Sequence, residues 1–371
     1  MSASVADATS LADDRLASAG QFRLTWLRFK RHKLAFISLF IVILFYLVAI
    51  FADFLAINDP HAVDARRGYL PPQVVHVFDG SAPYVSGMKG ARDLKTFKQV
   101  YVPDPNKKLP VTLFAHGYTY NLFGLIETDR HLLGLTAPDP LDGIYLLGTD
   151  ALGRDLFSRI MVATRISLVI GLASVGLSLV LGILLGGISG LYGGVVDLVI
   201  QRVIEVIRSI PTIPLWMGIA AALPNTWSVL QVYFAITLII SLIGWTELAR
   251  VVRGRFLALR EEDFVIAAEL VGASQFRIML RHMLPSFTSH VIAAVSLALP
   301  AMIISETSLS FLGLGLRPPA ISWGILLQDA QNVQVLAGAP WLLLAAVPVV
   351  TVILAFNFLG DGLRDAADPY G

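Results

Sequence analysis

The sequence predicts an all-α polytopic membrane protein with six transmembrane helices and a small mixed or β-rich insertion between the first two. Three observations carry this. Of 371 residues, 56% are hydrophobic and only 15% charged, which is too apolar for a soluble chain of this length. Apolar stretches long enough to cross hydrocarbon recur along the chain. Basic clusters mark alternate ends of those stretches, as the positive-inside bias requires.

The first span illustrates all three. Arg23, Arg28, Lys30, Arg31 and Lys33 precede Leu34 to Ala52, nineteen residues without a charge. The cluster places the N-terminus in the cytoplasm and sends the span outward. Residues 1 to about 20 are small and polar without periodicity, which predicts a mobile tail. No small-residue cleavage site follows the basic stretch, so the span reads as a retained anchor. The divisions are thus a cytoplasmic tail over 1–33, a first transmembrane helix over 34–57, an extracytoplasmic insertion over 58–145 and a core over 146–371. The insertion is polar and rich in proline, with β-like runs at Val74 to Phe78 and Gln99 to Val102. Val111 to His116 and Tyr118 to Phe123 flank Gly117 and predict a hairpin there.

Between Leu147 and Arg159, Thr149 or Asp150 reads as a helix cap, opening an interfacial helix whose Arg and Asp residues face water. Ile166 to Leu191 is the second span, in which Gly182, Gly186 and Gly190 recur every four residues and predict a helix-packing face. After Gly193 and Gly194, the charged residues Asp197, Arg202, Glu205 and Arg208 precede the apolar stretch Ile210 to Leu223, where Pro211 and Pro214 predict a bend. Val229 to Trp245 is the fourth span, with Arg250, Arg253, Arg255 and Arg260 at its cytoplasmic exit. Pro285 to Leu312 is the fifth, and its Glu306 is expected at the outer interface rather than at mid-depth. Trp341 to Gly360 is the sixth. Counting spans leaves both termini, and the polar stretch before the fifth span, in the cytoplasm.

That polar stretch, Asp263 to Pro285, reads as two short helices. Phe264, Ala267, Ala268 and Val271 fall at i, i+3, i+4 and i+7 and form one apolar stripe, with Asp263 and Glu269 off it. Gly272 ends the first helix because glycine takes the left-handed cap without steric cost. Ser274 caps the second, whose apolar positions are Phe276, Met279, Leu280 and Met283. Helix, glycine break and helix make a rigid knob at the membrane surface. Read alone, it is also compatible with an ordinary interfacial amphipathic helix.

These residues carry a resemblance. The order Ala267-Ala268-Glu269, three residues to Gly272, then Ile278, His282, Leu284 and Pro285 resembles the cytoplasmic coupling loop of bacterial ABC importer permeases. The usual loop of that family places two alanines after a glutamate, whereas here the glutamate follows them. Leu147 to Leu168 and Gly360 to Pro369 resemble the corresponding segments of the family's oligopeptide, dipeptide and nickel branch. The similarity spans about 34–57 and 145–370, with the tail and the insertion outside it. The resemblance implies six spans of the ABC importer permease type and a coupling loop at about 255–285. It implies ATPase-coupling residues Asp263, Ala267, Ala268, Glu269, Gly272, Ala273 and Ser274. It further implies a homologous second permease subunit, two cytoplasmic ATPase subunits that hold ATP and Mg, and an extracytoplasmic solute-binding protein. The membrane is then the bacterial inner membrane, and the solute a peptide, a nickel complex or an oligosaccharide.

Several chemistries find no support. No phosphate-binding Gly-x-x-x-x-Gly-Lys loop, Gly-x-Ser-x-Gly elbow or His-Glu-x-x-His pair occurs, so the chain is not read as an enzyme, and no cofactor is expected on it. The seven histidines are scattered and His282 reads as a packed or capping residue, so no metal site is expected. Cysteine is absent, which excludes disulfides and thiolate sites. The net charge of +1 gives no basic face for nucleic acid. Two other functions remain at this point: a secondary transporter driven by an ion gradient, which calls for mid-membrane carboxylates and broken-helix repeats, and a receptor-like membrane module. The sequence does not name the residues that line a substrate path.

Overall fold

A computed structural model describes residues 21–77, 82–92, 99–136, 142–224 and 226–367. The expected N-terminal tail and the last residues of the Gly360 to Pro369 motif lie outside these. The helices are α1 (Gln21–Arg31), α2 (Lys33–Ile50), α3 (Leu156–Tyr192), α4 (Gly194–Ser209), α5 (Thr212–Ala221), α6 (Val229–Leu259), α7 (Asp263–Leu270), α8 (Thr288–Phe311), α9 (Trp323–Asp329) and α10 (Ala346–Ala367), with shorter turns between them. Five helical segments are long and apolar enough to cross a membrane, and the pair α4 and α5 makes a sixth if taken as one bent span.

Helices α3 and α6 form the spine. They run in the same direction, because successive contacts climb both together. Ser174 Oγ reaches the Thr237 carbonyl at 3.5 Å, Ser178 Oγ donates to the Ser241 carbonyl at 3.2 Å, and Ser241 Oγ donates to the Ser174 carbonyl at 3.1 Å. Further along, a Cβ built on Gly182 would stand 2.9 Å from the Leu248 side chain, and one on Gly190 would stand 2.6 Å from Phe256 Cβ. At Gly186 the Ala249 backbone itself fills the space a side chain would need. The three glycines thus lie against α6, where their bare backbones let two helices approach closely and gain dispersion contacts that lipid cannot replace.

Two parallel neighbours require the chain to return between them. That return is α4 and α5, which meet at 86° across Ile210 and Pro211. Pro211 breaks the helix by its missing donor, while Pro214 sits in the first turn of α5, where a backbone N–H has no intrahelical partner to lose. The charges on α4 are paired rather than free: Asp197 accepts two bonds of 2.5 Å from Arg253, Arg202 pairs with Glu205, and Arg208 with Glu247. Helix α8 packs on α3 and α10, and α10 on α2. At 37 residues, α3 is roughly 55 Å long, well beyond a hydrocarbon core of about 30 Å.

The insertion folds as a four-stranded antiparallel sheet in the order β1 (Val75–His76), β2 (Tyr84–Arg92), β3 (Gln99–Leu122) and β4 (Ile126–Leu135). A hairpin at Gly117 does not form. Strand β3 continues through that residue, which falls at a register shift between the His116–Arg130 and Tyr120–Thr128 pairs, and the turn lies at Phe123, Gly124 and Leu125, with Phe123 and Gly124 at positive φ. Strand β3 is long because it pairs first with β2 and then with β4. The two ends of the insertion meet, since the Asn58 side-chain amide donates to the Ile144 carbonyl at 2.6 Å. Ser158 at the start of α3 accepts the backbone N–H groups of Ile57 and Asn58. The sheet therefore marks one end of the bundle, and the α6–α8 connection marks the other.

Replacing Gly186 by leucine should push α3 from α6 and cost about 1–3 kcal/mol, the usual range for overpacking, seen as a lower melting temperature of the solubilised chain. Gly176, which has open space around it, should accept the same substitution with a smaller change.

Candidate functional site: the helical knob between α6 and α8

The α6–α8 connection is a knob of two helical arms. Helix α7 ends in a Schellman motif, in which the Ala273 N–H donates to the Ala268 carbonyl and the Gly272 N–H to the Glu269 carbonyl, at 3.0 and 2.9 Å. Gly272 has φ +82°, a conformation that side-chain-bearing residues rarely adopt. Ser274 then caps the second arm by accepting from the Arg277 N–H. Across the turn, the Gln275 side chain donates to Glu269 at 3.2 Å and ties the arms together.

The second arm is not uniform α-helix. It begins as an α turn over Gln275–Arg277, continues as a π-helix over Ile278–Met283 and closes as a turn over Leu284–Ser286. The wider turn changes which residues face inward. Ile278, Met279 and Met283 are buried, whereas the apolar Phe276 and Leu280 are exposed. On α7 the apolar stripe faces mostly outward: Phe264 and Ala267 are exposed and Ala268 is partly buried, while Val265, off the stripe, is buried. Val271 is 89% exposed and its neighbour Leu270 84% exposed, so the tip of the knob is apolar and uncovered. Asp263, Glu269, Gly272 and Ser274 are exposed beside it, and Ala273 is half-buried.

Below the tip the knob is firmly rooted. Val265, Ile278, Met279 and Met283 join Leu248, Val252 and Phe256 of α6 and Val291 of α8 in one core. Phe256 meets Phe287 edge-on, with ring centroids 5.5 Å apart. Met279 lies against Gly187 of α3. The base of the knob is therefore continuous with α3, α6 and α8 through buried side chains. Among the described residues no group of three or more His, Asp or Glu side chains is placed to hold a metal ion. His282 is half-buried within the arm.

The opposite end holds residues whose placement the sequence reading missed. Neither Thr149 nor Asp150 caps α3; Asp155 does, accepting from the Ser158 N–H at 3.0 Å. Arg159 and Asp150 do not face water but form a buried ion pair, with Arg154 and Asp329 of α9 completing a four-residue network. Burial lifts the Asp329 carboxyl above its ordinary range, with Arg159 acting against the shift. Glu306 lies at this end, as expected, but inside the protein rather than at an interface. Ser167 and Ser310 donate to its two oxygens at 3.0 and 2.9 Å. Each hydroxyl in turn accepts a backbone N–H, from Trp323 and Leu316 respectively. Glu306 thereby fastens α3 and α8 to the segment leading into α9.

A bundle of five or six helical segments long and apolar enough to cross a membrane defines a multi-pass membrane protein. The chain belongs to the family of binding-protein-dependent transport system inner membrane components, whose profile matches residues 178–370. A second profile, the N-terminal TM domain of oligopeptide transport permease C, matches residues 20–72. The chain is 33% identical over 350 residues to the dipeptide transport system permease protein DppC of Lactococcus lactis subsp. cremoris, covering 94% of this chain and 90% of that one. It is 39% identical over 245 residues to the oligopeptide transport system permease protein OppC of Haemophilus influenzae, covering 66% and 75%. For OppC of Escherichia coli K12 the identity is 40% over 248 residues, covering 67% and 79%. The Lactococcus alignment is too long to omit the insertion, so similarity reaches into a region expected to lie outside it.

Desolvation raises the Asp155 carboxyl from 3.8 to about 6. The folded chain therefore holds this proton more tightly than the unfolded chain. Its stabilising contribution is complete below pH 3.8 and is lost as pH rises through about 6. Asp155→Asn keeps a capping side chain but removes the titration, so its melting temperature should vary less than that of the parent between pH 4 and 7.

Proposed function

We propose that this chain is the membrane-spanning subunit of an ATP-driven, binding-protein-dependent importer of peptides. In this reading it encloses half of a translocation path together with a homologous permease subunit. The knob faces the cytoplasm of a bacterial inner membrane, as do both termini, and the sheet faces outward, where a solute-binding protein delivers its cargo. Two cytoplasmic ATPase subunits hold ATP and Mg, and one of them takes the knob into a cleft. The names of the similar permeases support peptides as the solute class.

The observation that carries the proposal is the uncovered apolar tip on a rooted base. Leu270 and Val271 are too exposed to serve the fold, and large exposed apolar side chains at a helix end are what a partner cleft buries. Around them, Asp263, Ala267, Ala268, Glu269, Gly272, Ala273 and Ser274 form the coupling surface. ATP binding can favour one state of the permease only through contacts that differ between states. Those contacts pass through the knob into Val265, Ile278, Met279 and Met283, and from there into α3, α6 and α8. The chain itself moves no bond: it converts closure of its partners into a change in helix packing, and ATP hydrolysis stays with the partners.

Gly272→Asp tests this. Aspartate at φ +82° is strained and places a charge beside the apolar tip. In proteoliposomes holding the complete complex and a peptide-loaded binding protein, the variant should insert normally yet lose at least about tenfold in peptide uptake, the effect of about 1.4 kcal/mol. Stimulation of ATP hydrolysis by the loaded binding protein should fall with it. Undiminished uptake would sink the coupling role.

A further inference from the structure

Helix α1 stands apart from the rest of the bundle. It precedes α2 but is no extension of it, because His32 between them has φ −82° and ψ 88°, outside helical geometry, and uses its Nδ1 to accept from the Ala35 N–H as the cap of α2. Helix α1 instead rests on the last turns of α10. Phe29 is buried against Gly362 and Ala35. The other described side chains of its second half, Trp26, Leu27, Arg28, Lys30 and Arg31, are exposed, as is Lys33 at the first position of α2.

The chemistry of that uncovered surface is mixed in a specific way. Trp26 and Leu27 are apolar, and Trp26 stacks on Phe29 at 5.7 Å. Lys30 lies over the Trp26 ring at 5.3 Å. Neither Lys30, Arg31 nor Lys33 is paired with a carboxylate among the described residues; the nearby Asp365 instead faces His32 at 3.9 Å. Immediately beyond Lys33, α2 exposes Leu34, Ile37, Phe40, Ile43, Leu44 and Leu47, a stripe that only hydrocarbon or another helix can cover. At 1.5 Å per residue, Arg31 and Lys33 therefore stand within one turn of the hydrocarbon boundary, at the depth of phospholipid headgroups.

We infer that α1 is a binding site for anionic phospholipid. Trp26 and Leu27 enter the interfacial layer, where an indole is favoured, and Lys30, Arg31 and Lys33 hold the phosphate and the acidic headgroup. An orientation signal alone would need only positive charge somewhere before the span. It would not need a separate helix that buries Phe29 and turns its cations and its tryptophan outward together. A basic cluster beside a membrane helix gains about 1 kcal/mol per residue from an anionic surface, or roughly fivefold each.

The test uses the full chain reconstituted in phosphatidylcholine bilayers containing a minor fraction of phosphatidylglycerol, then extracted gently and analysed for retained lipid by native mass spectrometry. The parent chain should retain phosphatidylglycerol in excess of its share of the bilayer. K30Q/R31Q, which leaves Arg28 and Lys33 to preserve orientation, should lower that excess by about tenfold or more. Raising salt on the parent chain should strip the same excess, because headgroup attraction at an exposed surface is screened. No excess in the parent, an equal excess in the variant, or an excess indifferent to salt would each overturn the inference. The salt series decides the matter on the parent chain alone if the variant fails to insert.

Discussion

The close approach of α3 and α6 is the constraint on which the rest depends. In lipid there is no hydrophobic gain from pressing two apolar helices together, so association rests on contact area and on hydroxyl-to-carbonyl bonds. The seam supplies both, with Ser174, Ser178 and Ser241 toward the sheet end and Gly182, Gly186 and Gly190 toward the knob. Because the pair is parallel, it dictates the bent return of α4 and α5. It also dictates that both helices finish at the same end, where their last turns form the socket for the knob.

Buried polar groups secure the other end. An ion pair such as Arg159 with Asp150 gains little over a well-packed apolar pair, but it is costly to break once buried. Its value lies in fixing geometry: with Arg154 and Asp329 it sets the distance between the start of α3 and α9. The Glu306 cluster does the same with directed hydroxyls, since Ser167 and Ser310 each have a backbone N–H as donor and so must turn their own protons to the carboxylate. One end of the bundle is thus held by bonds and the other by packing.

What could be read from the sequence follows the range of the physics involved. The crossings were legible because hydrocarbon thickness imposes a length on each apolar stretch. Gly272 and Ser274 were legible because caps are settled by the backbone chemistry of a few adjacent residues. The buried face of the knob was only half legible. A 3.6-residue period identifies Phe264 and Val271 as co-facial with Ala267, but it does not say whether that face meets the protein or a partner, and the π turn at Ile278 shifts the period itself. The Gly117 hairpin failed because the glycine falls in an irregularity of β3, between the His116–Arg130 and Tyr120–Thr128 pairs, which absorbs extra residues without reversing the strand. Arg159 with Asp150 and Glu306 with Ser167 were illegible for a simpler reason. Partners nine and 139 residues apart leave no periodic trace.

The neck between Asn58 and Ile144 has a historical consequence. A segment whose two ends already touch can be lengthened, trimmed or exchanged without altering the spacing of the helices from which it springs. The sheet is therefore free to diverge at its own pace, while the seam, the socket and the knob are bound to one another's geometry.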